Sequence, residues 1–196
     1  MTPIPEPVEA YLRQVESGTP RVCPEQTALA KYIRETFERE KLIFEAERFE
    51  KYVSLEKYFP FALFPWEKFL IALWLCTYKA PGLPRWKTLF CMVGRGAGKD
   101  GLIAFISFCR VSPYNTAAGY DVDICANDEE QAMRPVKDVI DVLEKPNLIQ
   151  KLKRFLLRIV LLYGDSPFIQ KGDFLLGQIK FHTVHFPFIS FSAVFV

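Results

Sequence analysis

The stretch Cys91–Phe105, CMVGRGAGKDGLIAF, constrains the fold more than any other part of the sequence. Four glycines, an arginine, a lysine and an aspartate interrupt an apolar run, after which the sequence turns apolar again. The apolar segment Thr88–Val93 predicts a short strand that is covered on both faces. Gly101–Arg110 predicts a helix that starts at the end of the loop. The stretch therefore predicts a strand, a glycine-rich loop and a helix.

A phosphate-binding loop is one interpretation of these glycines. Glycines let the backbone turn so that several amide groups point inward, and the following helix adds its positive N-terminal end. Lys99 would then reach the β- and γ-phosphates of a nucleotide. The sequence departs from G-x-x-x-x-G-K-[ST] at Val93, where the first glycine belongs, and at Asp100, which replaces the hydroxyl residue. A carboxylate at Asp100 can bind Mg²⁺, yet it also brings negative charge close to a triphosphate.

Two other interpretations of the loop remain open. Three of its glycines also satisfy the dinucleotide-binding pattern G-x-G-x-x-G, namely Gly96, Gly98 and Gly101. That fingerprint requires an acid at the carboxyl end of the next strand, whereas Asp121 and Asp123 lie at its beginning. The loop could also be a flexible connection that binds nothing. The two cations, Arg95 and Lys99, favour phosphate over either alternative.

The residues after the loop predict a further strand and helix. Asp121–Ala126, DVDICA, alternates in polarity as a strand does, and Asn127 with Glu130 resembles a capping box. Pro135 predicts a kink in the following helix near Gln131. The apolar residues expected on one side of that helix are Ala132, Val136, Val139, Ile140 and Leu143. The order strand, loop, helix, strand, helix is the opening of a parallel α/β sheet.

Residues 1–79 predict a helical N-terminal segment. Apolar residues recur near the helical period from Glu25 onward, and Pro65 suits the first turn of a helix. Phe69–Tyr78 is apolar but about half the length needed to cross a bilayer, so we expect a buried helix there. The apolar face expected for that helix consists of Trp66, Phe69, Leu70, Leu73 and Trp74.

Composition predicts a soluble, cytoplasmic chain. The N-terminus, MTPIPEPVEAYL, lacks the basic start and apolar core of a secretory signal. Five scattered cysteines without a C-x-x-C pair argue against a disulfide framework or a zinc site. The net charge of +2 is too small to indicate a nucleic-acid surface, and a local basic patch stays open as an alternative.

Residues 155–196 differ from the rest because they are rich in phenylalanine and nearly free of acids. Neither helical nor strand period persists in FHTVHFPFISFSAVFV, so we expect an irregular tail that contributes little ordered burial. Three explanations are open: a buried strand pair, a disordered apolar tail, or translated sequence outside the ancestral reading frame.

Several separated segments match one known family in the same order. VGRGAGKDG, preceded by YFPFALFPWEKFLIALWLCTY and followed by YDVDICANDEEQA, resembles the large terminase subunit of tailed bacteriophages. The resemblance covers about Val8 to Phe155 and includes VEAYLRQVESG. It implies a P-loop NTPase-like parallel sheet flanked by helices over residues 80–154, which starts an ATPase domain and is incomplete at its C-terminus. Family members add a two-metal nuclease domain and drive viral DNA into a capsid.

The resemblance also implies roles for individual residues. Arg95 and Lys99 would be catalytic, with Lys99 on the phosphates and Arg95 near the γ-phosphate, and Asp100 would lie near Mg²⁺. Trp66 and Glu67 stand where family members show an adenine-contacting Trp-Gln pair. The implied ATP-binding set is Trp66, Glu67, Gly94, Arg95, Gly96, Ala97, Gly98, Lys99 and Asp100. The implied partners are double-stranded viral DNA, the small terminase subunit and the portal protein, and assembly into a homo-oligomer stays open.

The sequence lacks parts that a packaging ATPase needs. A P-loop motor requires an acidic pair at the end of a later apolar strand, and Asp165 is the nearest candidate without a second acid after it. His182 and His185 have no apparent third partner for a metal. Three functions therefore remain: an ATP-binding terminase fragment, a truncated remnant without turnover, and an interaction module that docks through its N-terminal helices.

Overall fold

The computed structural model describes residues 3–94, 96–115, 122–126, 128–145, 159–161 and 177–183. The chain is mixed α/β, as the sequence predicts. Its described residues form two compact units. The first consists of residues 3–54 and 62–92, and the second consists of residues 55–61 and those from 93 onward.

Helices dominate the first unit, as expected for residues 1–79. They are α1 (Glu6–Ser17), α2 (Pro24–Arg39), α3 (Ala46–Val53) and α4 (Pro65–Cys76). Proline occupies the first position of α2 and of α4, where its missing amide N–H costs no helical hydrogen bond. α4 packs against α1 and α3, and most of its side chains are buried.

α4 confirms the prediction of a buried helix over the apolar stretch that follows Pro65. Phe69, Leu70 and Leu73 are buried as predicted, whereas Trp66 and Trp74 are half-buried. α4 has 12 residues. Within the described residues, no helix combines the length and the apolar character that crossing a bilayer requires.

A small antiparallel sheet completes the first unit. It has the order β1 (Ile43–Phe44), β2 (Thr77–Ala80) and β3 (Leu83–Pro84). Tyr78 lies opposite both Ile43 and Pro84, and Gly82 at φ 75° forms the tight turn between β2 and β3. The sequence did not predict this sheet, because strands of two residues are too short to show a period.

The second unit contains α5 (Lys99–Val111), β4 (Val122–Ala126) and α6 (Glu129–Leu143). These elements confirm the predicted helix, strand and helix, although α5 starts two residues before Gly101. α5 packs against α6, and both helices contact β4. A 3-10 helix over Ser54–Tyr58 leads to Phe59. The Phe59 ring packs against Phe105 of α5, with ring centroids 5.2 Å apart.

The N-cap of α6 lies one residue after the predicted cap, Asn127. Asp128, not Asn127, is the N-cap residue, and its side chain accepts a hydrogen bond of 2.8 Å from the Gln131 amide. Asn127 itself lies outside the described residues. The helix continues through Pro135 as one element. Ala132, Val136 and Val139 are buried as predicted, and Val142 joins them, whereas Ile140 and Leu143 are only half-buried.

The strand predicted over Thr88–Val93 is wrong. This segment has no regular secondary structure, and Met92 is 75% exposed, which is incompatible with a strand covered on both faces. Composition alone cannot create a strand, because a strand also needs a neighbour for its backbone hydrogen bonds. The structure therefore does not show the expected P-loop NTPase-like parallel sheet, in which a strand leads directly into the loop.

The described strands after the loop pair in parallel. The order is β4, β6 (Gly177–Thr183) and β5 (Ile159–Leu161), with Val122 opposite Ile179 and Ala126 opposite Thr183. β5 joins the other edge of β6, where Ile159 lies opposite Gly177. Two of these three strands lie in residues 155–196, where the sequence showed no strand period.

Candidate functional site

The glycine-rich loop is a tight turn that only glycine accommodates easily. Gly96 has φ 84° and Gly98 has φ 85°, both in the left-handed region that disfavours residues with a Cβ. The Ala97 amide donates a 3.2 Å hydrogen bond to the Gly94 carbonyl and closes the turn. Arg95 lies outside the described residues. The backbone itself therefore requires glycine at two of the positions that the sequence singled out.

The loop ends at the N-terminus of α5. Gly98 is the N-cap residue and makes no side-chain cap, because it has no side chain. The Leu102 amide donates to the Gly98 carbonyl at 3.0 Å and begins the helical ladder. The first amides of a helix have no intrahelical acceptor and carry the positive end of the helix dipole. Gly98 therefore leaves this helix end without a side-chain acceptor of its own.

Lys99 and Asp100 form an ion pair within the first turn of α5. The Lys99 Nζ lies 2.7 Å from the Asp100 Oδ1, and each side chain is 36% exposed. The two residues proposed for the phosphates and the metal are thus adjacent in space as well as in sequence. In this arrangement their formal charges cancel at the end of the loop.

A further carboxyl group on α6 belongs to the electrostatic surroundings of Asp100. Burial raises the pKa of Asp138 above its ordinary value, and the nearby carboxylates of Asp141 and Asp100 add to this effect. Loss of hydration and like-charge repulsion both disfavour the ionised carboxyl. The sequence alone does not single out Asp138, because helical spacing gives no indication of which α6 residues approach the loop.

Gly101, the third residue of α5, has a reason of its own to be glycine. A Cβ built on Gly101 would lie 3.1 Å from two ring atoms of Phe61. The Phe61 ring also packs against Phe59, with ring centroids 5.3 Å apart. Gly101 therefore serves close packing of an aromatic ring on the first turn of α5, a role that the sequence did not reveal. The glycine inside a predicted helix was the available signal.

Trp66 and Glu67 lie in the first turn of α4, in the first unit. Glu67 is buried, and its Oε2 accepts a 2.8 Å hydrogen bond from the Phe64 amide. Glu67 thus caps the helix on which it lies, as a Glu at the N3 position commonly does. Burial raises the pKa of the Cys91 thiol, and the negative charge of Glu67 adds to this increase. The structure gives Glu67 a structural role and Trp66 a half-buried position.

The donor set for a metal is small. In the part of the chain that the structure describes, no three His, Cys, Asp or Glu side chains group as a metal site would require. Asp100 supplies a single carboxylate, which fits Mg²⁺ that is held mainly by water and substrate phosphates. Asp165 and His185 fall outside the described residues, and nothing is described of the His182 side chain.

Comparison with known proteins adds no relative: no family model, no curated protein and no solved structure matches this chain.

Proposed function

We propose that the chain is a terminase large-subunit-like fragment that binds ATP with Mg²⁺ through the loop Gly94–Asp100. The observation that carries the proposal is the loop geometry. Two glycines in the left-handed conformation lead into the uncapped N-terminus of a helix of 13 residues, and a lysine is the first residue of that helix. Such a terminus favours a phosphate through its amides and its dipole.

Each loop residue has a role in this proposal. The amides of Gly94, Gly96 and Gly98 surround the phosphates, Lys99 adds a full positive charge, and the Ala97 amide holds the turn through its hydrogen bond to the Gly94 carbonyl. Asp100 offers one oxygen to Mg²⁺, and the role of Arg95 at the γ-phosphate is the one that the resemblance implies. Bound Mg²⁺ would neutralise charge on the β- and γ-phosphates. Adenine contacts by Trp66 and Glu67 are implied by the resemblance alone, and the Glu67 carboxylate already accepts the Phe64 amide as the cap of α4.

The proposed fold is a P-loop NTPase-like domain that starts near residue 80. Its support is the order α5, β4, α6 and the parallel pairing of β4, β6 and β5. We expect the isolated chain to hydrolyse ATP negligibly, because the sequence offers no acidic pair at a strand end to hold the metal and orient water. Viral DNA, the small subunit and the portal protein remain proposed partners, and DNA binding should be weak and salt-sensitive at a net charge of +2.

Nucleotide titration tests the proposal directly. We expect Lys99→Ala to weaken binding of a fluorescent ATP analogue by about 10-fold or more, because a charge-assisted hydrogen bond contributes about 1.5–3 kcal/mol. Lys137→Ala is the matched control, since Lys137 is an exposed lysine in α6 of the same unit. Inorganic tripolyphosphate should compete with the analogue and adenosine should not. Equal affinity of the wild type and Lys99→Ala would contradict a phosphate site at this loop.

An interaction module is the second candidate function, and one observation favours it. Among the described residues, the large exposed apolar side chains are Ile43, Phe64, Leu83 and Met92, and all belong to the first unit. An interaction module predicts that Lys99→Ala leaves binding of the partner unchanged. The nucleotide site predicts a specific loss of ATP binding in the same variant.

A further inference from the structure

The ion pair between Lys99 and Asp100 is the feature that the proposed function leaves unexplained. The Lys99 Nζ donates to the Asp100 Oδ1 at 2.7 Å. Adjacent residues on a helix point about 100° apart and do not normally face each other. Helical side chains lean toward the N-terminus, so a pair in the first turn forms on the side of the loop. The lysine that the loop needs for phosphate is therefore engaged by a carboxylate of its own helix.

This pairing weakens the binding of a polyphosphate in two ways. Lys99 can still offer the two remaining N–H groups of its ammonium to a phosphate oxygen, but its positive charge is then shared with Asp100, and the Asp100 carboxylate repels the same anion. A divalent cation removes both obstacles, because it binds the Asp100 oxygen and neutralises the carboxylate. Asp100 as a lone hard oxygen ligand fits Mg²⁺, which takes one or two carboxylates and completes its shell with water and phosphate.

We infer that the Lys99–Asp100 ion pair is an autoinhibitory contact that weakens the binding of metal-free polyphosphate at the loop and that Mg²⁺ at Asp100 releases Lys99. This inference rests on the proposed phosphate site and adds its regulation. Metal and nucleotide then bind with positive coupling, and the coupling is reciprocal because each ligand favours the state with Lys99 released. A serine or threonine after the lysine could not act in this way, because a neutral hydroxyl can accept a hydrogen bond from the ammonium group but carries no charge to neutralise it.

A measurement on Lys99 itself tests the contact without any nucleotide. The lysines are reductively ¹³C-methylated, and the Lys99 resonance is assigned by its loss in Lys99→Arg. We expect Asp100→Asn to move this resonance and Mg²⁺ alone to move the wild-type resonance in the same direction. Asp138→Asn is the matched control: it removes a carboxyl in the same electrostatic surroundings but leaves the ion pair in place. Circular dichroism establishes that the variants are folded.

Nucleotide titration with and without Mg²⁺ gives the second readout. In EDTA, Asp100→Asn should bind the fluorescent ATP analogue about 2- to 5-fold more tightly than the wild type. This is the range expected from the loss of an exposed ion pair. The enhancement by Mg²⁺ should fall in Asp100→Asn and persist in Asp138→Asn. Equal gains in the two variants would show that simple charge repulsion, and not the contact, limits binding, and this would overturn the inference.

The two proposals fail in different ways. If Lys99→Ala does not weaken ATP binding, the proposed phosphate site is wrong, and the inference built on it falls with it. If Lys99→Ala weakens binding but Asp100→Asn changes neither the Lys99 resonance nor the metal-free affinity, the phosphate site stands and the inference is wrong.

Discussion

At the scale of the residue, the loop contains two kinds of glycine that look alike in sequence. Gly98 has a positive φ of 85°, whereas Gly94 does not have a positive φ, and a Cβ on Gly94 would meet nothing within 4 Å. The difference lies in the backbone, because only Gly98 turns the chain into α5. A side chain at Gly98 would strain that turn and shift the amides that the proposed site needs.

We expect Gly98→Ala to destabilise the fold by about 1–2 kcal/mol, the cost of the left-handed conformation for a residue with a Cβ. The same substitution at Gly94 should change the free energy of unfolding by less than about 0.5 kcal/mol. Urea denaturation measures both, and ATP titration should show weaker binding for Gly98→Ala alone. Equal destabilisation of the two variants would contradict the turn described here.

The positions of the site residues, but not their interactions, could be predicted from the sequence. The pattern of glycines and lysine is local, so it identifies Gly96, Gly98 and Lys99 without tertiary information. The ion pair of Lys99 with Asp100 depends on side-chain rotamers, and the approach of Phe61 to Gly101 depends on packing across 40 residues of chain. A linear pattern specifies neither.

At the scale of the element, amphipathic helices were predictable and short strands were not. α4, α5 and α6 repeat apolar residues at the helical period over 12 to 15 positions. β1 and β3 have only two residues each, and their existence depends on pairing with β2. The apolar run before the loop shows the converse error, because it has strand composition but no strand structure.

A bidentate ion pair joins Glu40, at the C-terminus of α2, to Arg85, which follows β3. Arg85 donates to Glu40 through Nε at 2.6 Å and through Nη2 at 2.8 Å, and the Arg85 side chain is only 11% exposed. These hydrogen bonds, which outweigh the effect of burial, hold the pKa of the Glu40 carboxyl below its ordinary value. A lowered carboxyl pKa stabilises the fold above the unfolded-state pKa, and that contribution is lost as pH falls through the folded-state pKa.

We expect Glu40→Gln to destabilise the fold at pH 7 by about 1.5–3 kcal/mol, because it weakens charge-assisted hydrogen bonds to a largely buried guanidinium. The difference from the wild type should shrink below pH 4.5, the ordinary glutamate value, as the wild-type carboxyl is protonated. Thermal unfolding between pH 3 and pH 7 measures this. Glu38→Gln, at an exposed position of α2, is the control. A constant difference across this range would show that the Glu40 charge does not stabilise the fold.

At the scale of the whole molecule, the sequence predicted a mixed α/β chain and left residues 155–196 undecided. β4 pairs with β6 across five register positions, and both its neighbours in chain order, α5 and α6, pack on it. The second unit therefore joins elements from the loop region to a strand that starts about 50 residues after β4 ends. Long-range parallel pairing of this kind leaves no local signal, because the partner is absent from any short window of sequence.

Two shortened chains distinguish a paired tail from a disordered or out-of-frame one. A chain that ends at Phe155 lacks β5 and β6, and one that ends at Thr183 keeps both strands. We expect hydrogen exchange of the β4 amides to accelerate only in the shorter chain, because each lost hydrogen bond to β6 removes about 1 kcal/mol of local stability. α1 and α2 of the first unit serve as the internal reference. Equal protection of β4 in both chains would show that residues 156–183 add nothing to the fold.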